Sequence, residues 1–88
     1  MSYQVELSAR AARDLDVLGR DVQERMTQRL EQLKQNPLDK RLSGQLKNQG
    51  GLRKSRVGGW RIIFVVDEAK KTVQVVTIER RGQVYKRI

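Results

Sequence analysis

The chain has 88 residues, a formal net charge of +9 at pH 7, and neither cysteine nor histidine. This length predicts one domain over residues 1–88 with a modest core. The missing residue types exclude disulfides, thiolate nucleophiles, imidazole bases and Cys/His zinc sites, so no metal or cofactor is expected. The sequence has no run of 18 apolar residues and no secretory signal, which predicts a cytoplasmic protein without a membrane partner.

The charge is distributed unevenly along the chain. Residues 1–39 carry six basic and seven acidic side chains, a net charge of −1, whereas residues 40–88 carry thirteen basic and three acidic ones, a net charge of +10. A field of one sign over half of a small domain favours a polyanionic partner. A basic surface that only keeps the protein soluble is the alternative interpretation. A membrane surface is less favoured, because the basic half lacks a helical amphipathic pattern.

The N-terminal half predicts a strand followed by two helices. Alternating apolar residues indicate a strand over residues 3–7, and Ser8 is the predicted N-cap of a first helix that ends near Gly19. Asp21 is the predicted cap of a second helix, which ends at Asn36 because Pro37 disfavours helical geometry in the residue before it. The expected apolar positions are Ala12, Leu15 and Leu18 on the first helix, and Val22, Met26, Leu30 and Leu33 on the second.

The C-terminal half predicts three strands after a loop over residues 38–51. The strands are expected at residues 52–57, 60–67 and 72–78, with Gly58-Gly59 as a two-residue hairpin turn. The order is therefore β-α-α-β-β-β. We expect an α+β fold, with a small antiparallel sheet and the N-terminal helical hairpin packed on one face.

The hairpin turn predicts a cluster of positive charge. With Gly58 and Gly59 in the turn, Arg56 pairs with Arg61, and Lys54 shares their face because side chains alternate along a strand. Directly opposed like charges are unfavourable in a sheet, and a bound phosphate is the simplest explanation for them. The alternative is that these long side chains only cover apolar surface.

A second basic segment lies near the end of the chain. Arg80 and Arg81 add positive charge there, and arginine binds phosphate through two parallel hydrogen bonds. Tyr85 offers an aromatic ring on which a nucleic-acid base can stack. An ordinary half-buried tyrosine is the alternative for Tyr85, and Trp60 is interpreted as a core residue.

Two segments resemble a known family. Residues 53–64, Arg-Lys-Ser-Arg-Val-Gly-Gly-Trp-Arg-Ile-Ile-Phe, resemble the hairpin signature of the RelE/ParE toxin superfamily. Residues 80–85, Arg-Arg-Gly-Gln-Val-Tyr, resemble the pattern that closes the same domain. The length and the element order also fit, so the resemblance covers nearly the whole chain.

The RelE branch of this superfamily implies ribosome-dependent cleavage of messenger RNA, in which the 2′-hydroxyl attacks the neighbouring phosphorus. The resemblance implies catalytic roles for Lys54 and Arg56 on the basic strand, Arg61 at the phosphate, Arg81 on the acid side and Tyr85 under a base. Further RNA contacts are expected from Lys47, Arg53 and Arg80. Arg56 stands where a second lysine is frequent and Ser55 where an apolar residue is usual. Since arginine stays charged, the role of base falls to Lys54.

Two other functions remain open from the sequence. The ParE branch implies a protein that inhibits DNA gyrase by binding it, and a non-catalytic nucleic-acid-binding module would show salt-dependent binding without cleavage. The resemblance also implies a cognate acidic antitoxin, which suits the basic half of the chain. The expected partners are therefore messenger RNA on the ribosome and an antitoxin protein.

Overall fold

A computed structural model describes residues 2–46 and 50–80 of the chain. In this part of the chain, two helices cover one face of a five-stranded sheet. The elements in chain order are β1 (Gln4–Leu7), α1 (Ala9–Asp16), α2 (Arg20–Gln35), β2 (Gly44–Gln45), β3 (Arg53–Val57), β4 (Trp60–Asp67) and β5 (Thr72–Arg80). Neither helix is long and apolar enough to cross a membrane.

The sheet confirms the predicted α+β class and differs in two details. Its strand order is β1-β5-β4-β3-β2, and β1 runs parallel to β5, so the sheet is mixed and not purely antiparallel. A parallel pair needs a long crossover, which α1, α2 and the intervening strands provide. The second difference is β2, a two-residue strand within the predicted loop, which pairs with the start of β3.

The helices begin and end close to the predicted residues. The Ser8 side chain accepts a 2.9 Å hydrogen bond from the backbone N–H of Ala11 and so caps α1 as expected. The N-cap of α2 is Gly19, whereas the predicted cap, Asp21, lies in the first turn, where its charge favours the helix dipole. The last helical residue is Gln35 and Asn36 is the C-cap, as the proline that follows predicts.

The core lies between the helices and the sheet. Met26 and Leu33 of the predicted α2 stripe are fully buried, and Val22 and Leu30 are half-buried against them. On α1 the buried alanine is Ala11 and not the predicted Ala12. The sheet contributes the remaining buried apolar side chains of this cluster: Val57, Ile62, Phe64, Val73, Val75 and Ile78.

Strand β5 contains a β-bulge that changes which residues face β4. Phe64 pairs with Val75, but Ile63 pairs with Thr77, so Val76 is an extra residue in the ladder. The junction between β1 and α1 holds this bulge, because the Ser8 hydroxyl donates a 2.6 Å hydrogen bond to the Val76 carbonyl. Beyond the bulge, all residues of β5 are displaced by one position relative to β4.

Helix α1 also closes the edge of β5 where β1 ends. An Asp14 carboxylate oxygen accepts hydrogen bonds from the Ile78 backbone N–H (3.0 Å) and from the Thr77 hydroxyl (2.9 Å). The pairing of β1 with β5 ends before Ile78, so the Ile78 backbone N–H binds the Asp14 side chain instead. This contact fixes the part of β5 that leads to the candidate site.

Candidate phosphate-binding site

The β3–β4 hairpin has the register that the sequence predicts. Val57 pairs with Trp60, and Arg56 pairs with Arg61. Gly58 has a φ of +60° and Gly59 does not have a positive φ, which indicates a type II′ turn with glycine at its first central position. In a two-residue hairpin the pair beside the turn is hydrogen-bonded, so Arg56 and Arg61 form the closer, non-hydrogen-bonded kind of pair.

Lys54, Arg56 and Arg61 lie on the face of the sheet opposite the helices, which we call the open face. The burial pattern supports this, because Ser55 and Val57 alternate with Lys54 and Arg56 along β3 and are buried. Lys54 is half-buried and Arg56 is exposed. Three cations therefore stand together on two neighbouring strands, at the end of the sheet that carries the hairpin turn.

Arg61 has an acidic partner that sequence reasoning missed. Glu79 stands opposite Arg61 on β5, and its Oε1 accepts hydrogen bonds from Arg61 Nε (2.9 Å) and Nη2 (2.6 Å). The Arg61 side chain is only 14% exposed, which strengthens this charge-assisted contact. A ladder without the Val76 bulge would place Ile78 opposite Arg61, so the bulge brings the carboxylate to the site.

The other two cations of the open face have no acidic partner in the described part of the chain. The ion pairs there are Arg41–Asp39, Arg61–Glu79 and Lys71–Glu68. Lys54 and Arg56 belong to none of them. Their charge is therefore uncompensated. An anion that reaches the open face meets the Lys54 ammonium and the Arg56 guanidinium beside Arg61.

Arg29 of α2 holds β3 in place from its outer edge. Its Nη1 donates hydrogen bonds to the Arg56 carbonyl (2.7 Å) and to the Ser55 hydroxyl (2.8 Å). Ser55 is fully buried, and its own hydroxyl donates to the Leu42 carbonyl at 2.7 Å. The serine at this usually apolar position thus has partners for its polar atom, and it connects α2, the 40–44 loop and the strand that carries Lys54 and Arg56.

Two other predicted site residues, Arg53 and Arg80, are not part of this cluster. Arg53 binds the Ser43 hydroxyl at 2.9 Å, and Arg80 stacks over the Trp60 ring at 5.5 Å from its centroid. Both arginines pair with residues of the helix-side face, so the structure does not bring them together with Arg61. Lys47, Arg81 and Tyr85 lie outside the described residues, and their roles stay predictions.

The fold is similar to solved toxin structures. The chain matches the toxin–antitoxin complex RelBE2 from Mycobacterium tuberculosis with a TM-score of 0.82 and 24% identity, over 92% of this chain and 100% of that chain. It matches the archaeal RelE–RelB complex from Pyrococcus horikoshii with a TM-score of 0.81 and 22% identity, over 94% and 99% of the two chains. The isolated E. coli RelE toxin gives a TM-score of 0.80 and 22% identity, over 97% and 93%.

These similarities define the class of protein: an α+β domain with the RelE toxin fold. The family model for the ParE toxin of type II toxin–antitoxin systems matches residues 5–85. The chain therefore belongs to this family of the RelE/ParE superfamily and is a toxin of a toxin–antitoxin system. No curated protein matches the chain in sequence.

Proposed function

We propose that the chain is a ribosome-dependent endoribonuclease that cleaves messenger RNA without a metal ion. The observation that carries this proposal is the pairing of Arg56 with Arg61 beside Lys54 on the open face. Preorganised cations at a phosphate stabilise the negative charge that develops on its oxygens during attack. A protein that used this face only for solubility would gain nothing from opposing two arginines in one ladder.

The proposed reaction is an internal transesterification. The 2′-oxygen of the RNA forms a bond to the adjacent phosphorus while the bond from phosphorus to the 5′-oxygen breaks, which leaves a 2′,3′-cyclic phosphate and a 5′-hydroxyl. Lys54, with its amine in the uncharged form, takes the proton of the 2′-hydroxyl and becomes an ammonium, and Arg61 binds the phosphate. Arg81 stabilises the leaving 5′-oxygen, which takes up a proton from water to become the 5′-hydroxyl, and Tyr85 stacks on a neighbouring base.

Glu79 adds a positioning role to this scheme. Its carboxylate holds the Arg61 guanidinium through Nε and Nη2, so the side chain has a fixed direction before substrate arrives. A fixed arginine loses less side-chain entropy on binding phosphate than a mobile one. The same carboxylate repels the phosphate, so Glu79 is expected to weaken binding while it orients the arginine.

The proposed protein partner is an acidic antitoxin. The solved complexes from M. tuberculosis and P. horikoshii contain a toxin with its antitoxin, and both toxins share the fold of this chain. The net charge of +10 over residues 40–88 favours an acidic binding segment. Such a segment would neutralise the open face and exclude RNA from it.

A second candidate function is inhibition of DNA gyrase by binding. The name of the matching family model favours it, because the ParE branch of the superfamily implies gyrase as the target. In that case the basic face would contact protein or DNA without cleaving RNA. The two functions predict different damage in cells, and one experiment separates them.

The test measures messenger cleavage and DNA breaks side by side. Wild-type protein and the variants Lys54→Met, Arg61→Ala and Arg81→Ala are added to translating ribosomes, and the same variants are expressed in cells. We expect new RNA ends from the wild type and about a 100- to 1000-fold slower cleavage from each variant. Lys70→Ala removes a charge from the distant β4–β5 turn and should cleave normally. DNA breaks with intact messenger RNA would replace this proposal with the gyrase function.

A further inference from the structure

A cleft lies between the 40–44 loop and the outer edge of β3, and we call it the edge cleft. It has a volume of about 290 Å³. Five of its eight lining residues are cationic and none is acidic; the eight are Arg29, Lys40, Arg41, Leu42, Ser43, Gly44, Lys54 and Arg56. Such a lining attracts an anion and offers little to a neutral ligand.

The positive charge in the edge cleft is largely uncompensated. Arg29 satisfies its hydrogen bonds with neutral groups: the Gln32 side-chain carbonyl, the Ser55 hydroxyl and the Arg56 carbonyl. Neutral acceptors fix the guanidinium and leave its charge in place. Within residues 2–46 and 50–80, Arg41 is the only lining cation with an acidic partner, Asp39. Four positive charges therefore remain available to a ligand.

Gly44 keeps the side of the cleft opposite Lys54 open. It pairs with Lys54 across the β2–β3 ladder, so a side chain here would stand on the same face as the lysine. A Cβ atom built on Gly44 meets nothing within 4 Å, and the backbone does not have a positive φ. Residue 44 could therefore carry a side chain without steric strain, and glycine leaves the space to a ligand.

The edge cleft is continuous with the open face. Lys54 and Arg56 belong to both, and Arg61 lies one strand further, roughly 5 Å across the sheet. A phosphate held by Arg61 and an anion in the edge cleft would thus be separated by a distance that one nucleotide spans. The chemistry that fits two anion sites at this spacing is a single-stranded nucleic-acid backbone.

We propose that the edge cleft binds a second backbone phosphate of the substrate RNA, adjacent to the phosphate that Arg61 holds. Lys40 and Arg29 contact this second phosphate, while Lys54 and Arg56 lie between the two sites. The proposal depends on the proposed RNA-cleaving function for the identity of the strand. It adds a binding subsite from the 40–44 loop, which positions the RNA and does not take part in bond breaking.

The experiment measures how binding of a short RNA depends on salt. The RNA is methylated at its 2′-oxygens so that it cannot be cleaved, and affinity is measured over a range of salt concentrations. For single strands, the slope of log K against log salt changes by about 0.7 for each phosphate neutralised. We expect Lys40→Gln to reduce the slope by about this amount, whereas Lys70→Gln, which removes the same net charge far from the cleft, leaves it unchanged.

Gly44 provides a second, independent pair of variants. Gly44→Glu places a carboxylate opposite Lys54, and Gly44→Gln has the same size without the charge. We expect Gly44→Glu to weaken RNA binding about tenfold or more and Gly44→Gln to bind within about twofold of the wild type, since only the charge opposes phosphate. Equal affinities for the two variants, with both folded by circular dichroism, would overturn the proposal.

The source of the phosphate is settled by a second arm with ribosomes. If the subsite holds the substrate strand, Lys40→Gln weakens binding to ribosomes that carry a message and leaves binding to vacant ribosomes unchanged. Equal losses on both would assign the cleft to ribosomal RNA and overturn the proposal. A third outcome is that the wild type cleaves messages while Lys40→Gln and Gly44→Glu bind the methylated RNA normally. This result would support the proposed function and overturn the proposed subsite. If the wild type binds no RNA at all, both fail.

Discussion

Arg29 Nη1 lies 2.7 Å from the carbonyl oxygen of Arg56, and this hydrogen bond closes the edge of β3 at the point where β2 no longer covers it. The same nitrogen binds the buried Ser55 hydroxyl at 2.8 Å. An arginine on a helix thus fixes the backbone from which two of the site's cations project. Its partners are neutral, so the contact stabilises the strand without reducing the positive charge of the site.

Replacing Arg29 should therefore destabilise the protein more than an ordinary surface arginine. Hydrogen bonds from a charged group contribute about 1.5–3 kcal/mol to stability, so Arg29→Ala is expected to lower the free energy of unfolding by about 2–3 kcal/mol. Arg29→Lys keeps the charge, but an ammonium group lacks the planar guanidinium geometry that reaches both acceptors. The stability of this variant should fall between those of the wild type and Arg29→Ala. Denaturant unfolding measures this order of stabilities. An Arg29→Ala variant as stable as the wild type would contradict the prediction.

Ser55→Ala should show that the two residues act as a unit. The substitution leaves the Leu42 carbonyl and one Arg29 hydrogen bond without a partner, at a cost of about 1–3 kcal/mol. Because Arg29 and Ser55 share their contact, the double variant Arg29→Ala/Ser55→Ala should lose less stability than the two single losses added together. Strictly additive losses would mean that the hydrogen bond between them contributes nothing.

Glu79→Gln should increase the affinity for RNA. The variant keeps the size and a hydrogen-bond acceptor beside Arg61 but removes a negative charge, which at roughly 7 Å from a phosphate opposes binding by on the order of 1 kcal/mol. We expect about fivefold tighter binding of the methylated RNA. Glu68→Gln, which neutralises an acid at the other end of β4, roughly 23 Å away by strand rise, should bind like the wild type. Weaker binding by Glu79→Gln would show that holding Arg61 matters more than the repulsion.

The hairpin turn offers a matched pair of glycine variants. Gly58 has a φ of +60° and its Cβ would lie 3.5 Å from the Arg25 guanidinium, whereas Gly59 has an ordinary φ and open space. Gly58→Ala should lower the free energy of unfolding by about 1–3 kcal/mol. Gly59→Ala should change it by less than about 1 kcal/mol. Similar losses at both positions would rule out the type II′ geometry.

The 40–44 loop should respond to acid through Asp39. Hydrogen bonds from the Arg41 side chain, and then from its backbone N–H, hold the pKa of the Asp39 carboxyl below its ordinary value. The stabilisation is therefore complete above the ordinary pKa and is lost as the pH falls through the lowered one. Arg41→Gln should raise the pKa of Asp39, which a carboxyl NMR titration of both proteins measures. An unchanged titration would mean that the pair does not form in solution.

The sequence predicts the hairpin half of the site because its rules are local. A two-residue glycine turn determines which residues face each other on β3 and β4, so the pairing of Arg56 with Arg61 follows from Gly58-Gly59. The buried stripe of α2 is likewise predicted by the spacing of its apolar residues, which follows the helical period. These features depend on residues that are close in sequence and on geometry that the backbone repeats.

The other half of the site depends on contacts that no local rule gives. Glu79 faces Arg61 only because Val76 is taken up in a bulge, and a bulge leaves no periodic signal in an apolar strand. The contact of Arg29 with Ser55 joins residues 26 positions apart on different elements. A buried serine in a basic strand was the one available signal for Arg29, since a buried hydroxyl needs a partner.

Strand β5 is the last described strand in sequence and lies in the interior of the sheet, between β1 and β4. During synthesis β1 is therefore made first. The strand with which it pairs, β5, is made more than 60 residues later. Until then Arg61 lacks Glu79 and the Ser8 hydroxyl lacks the Val76 carbonyl. The order of synthesis thus delays completion of the sheet, and with it the contact that orients Arg61, until β5 has been made.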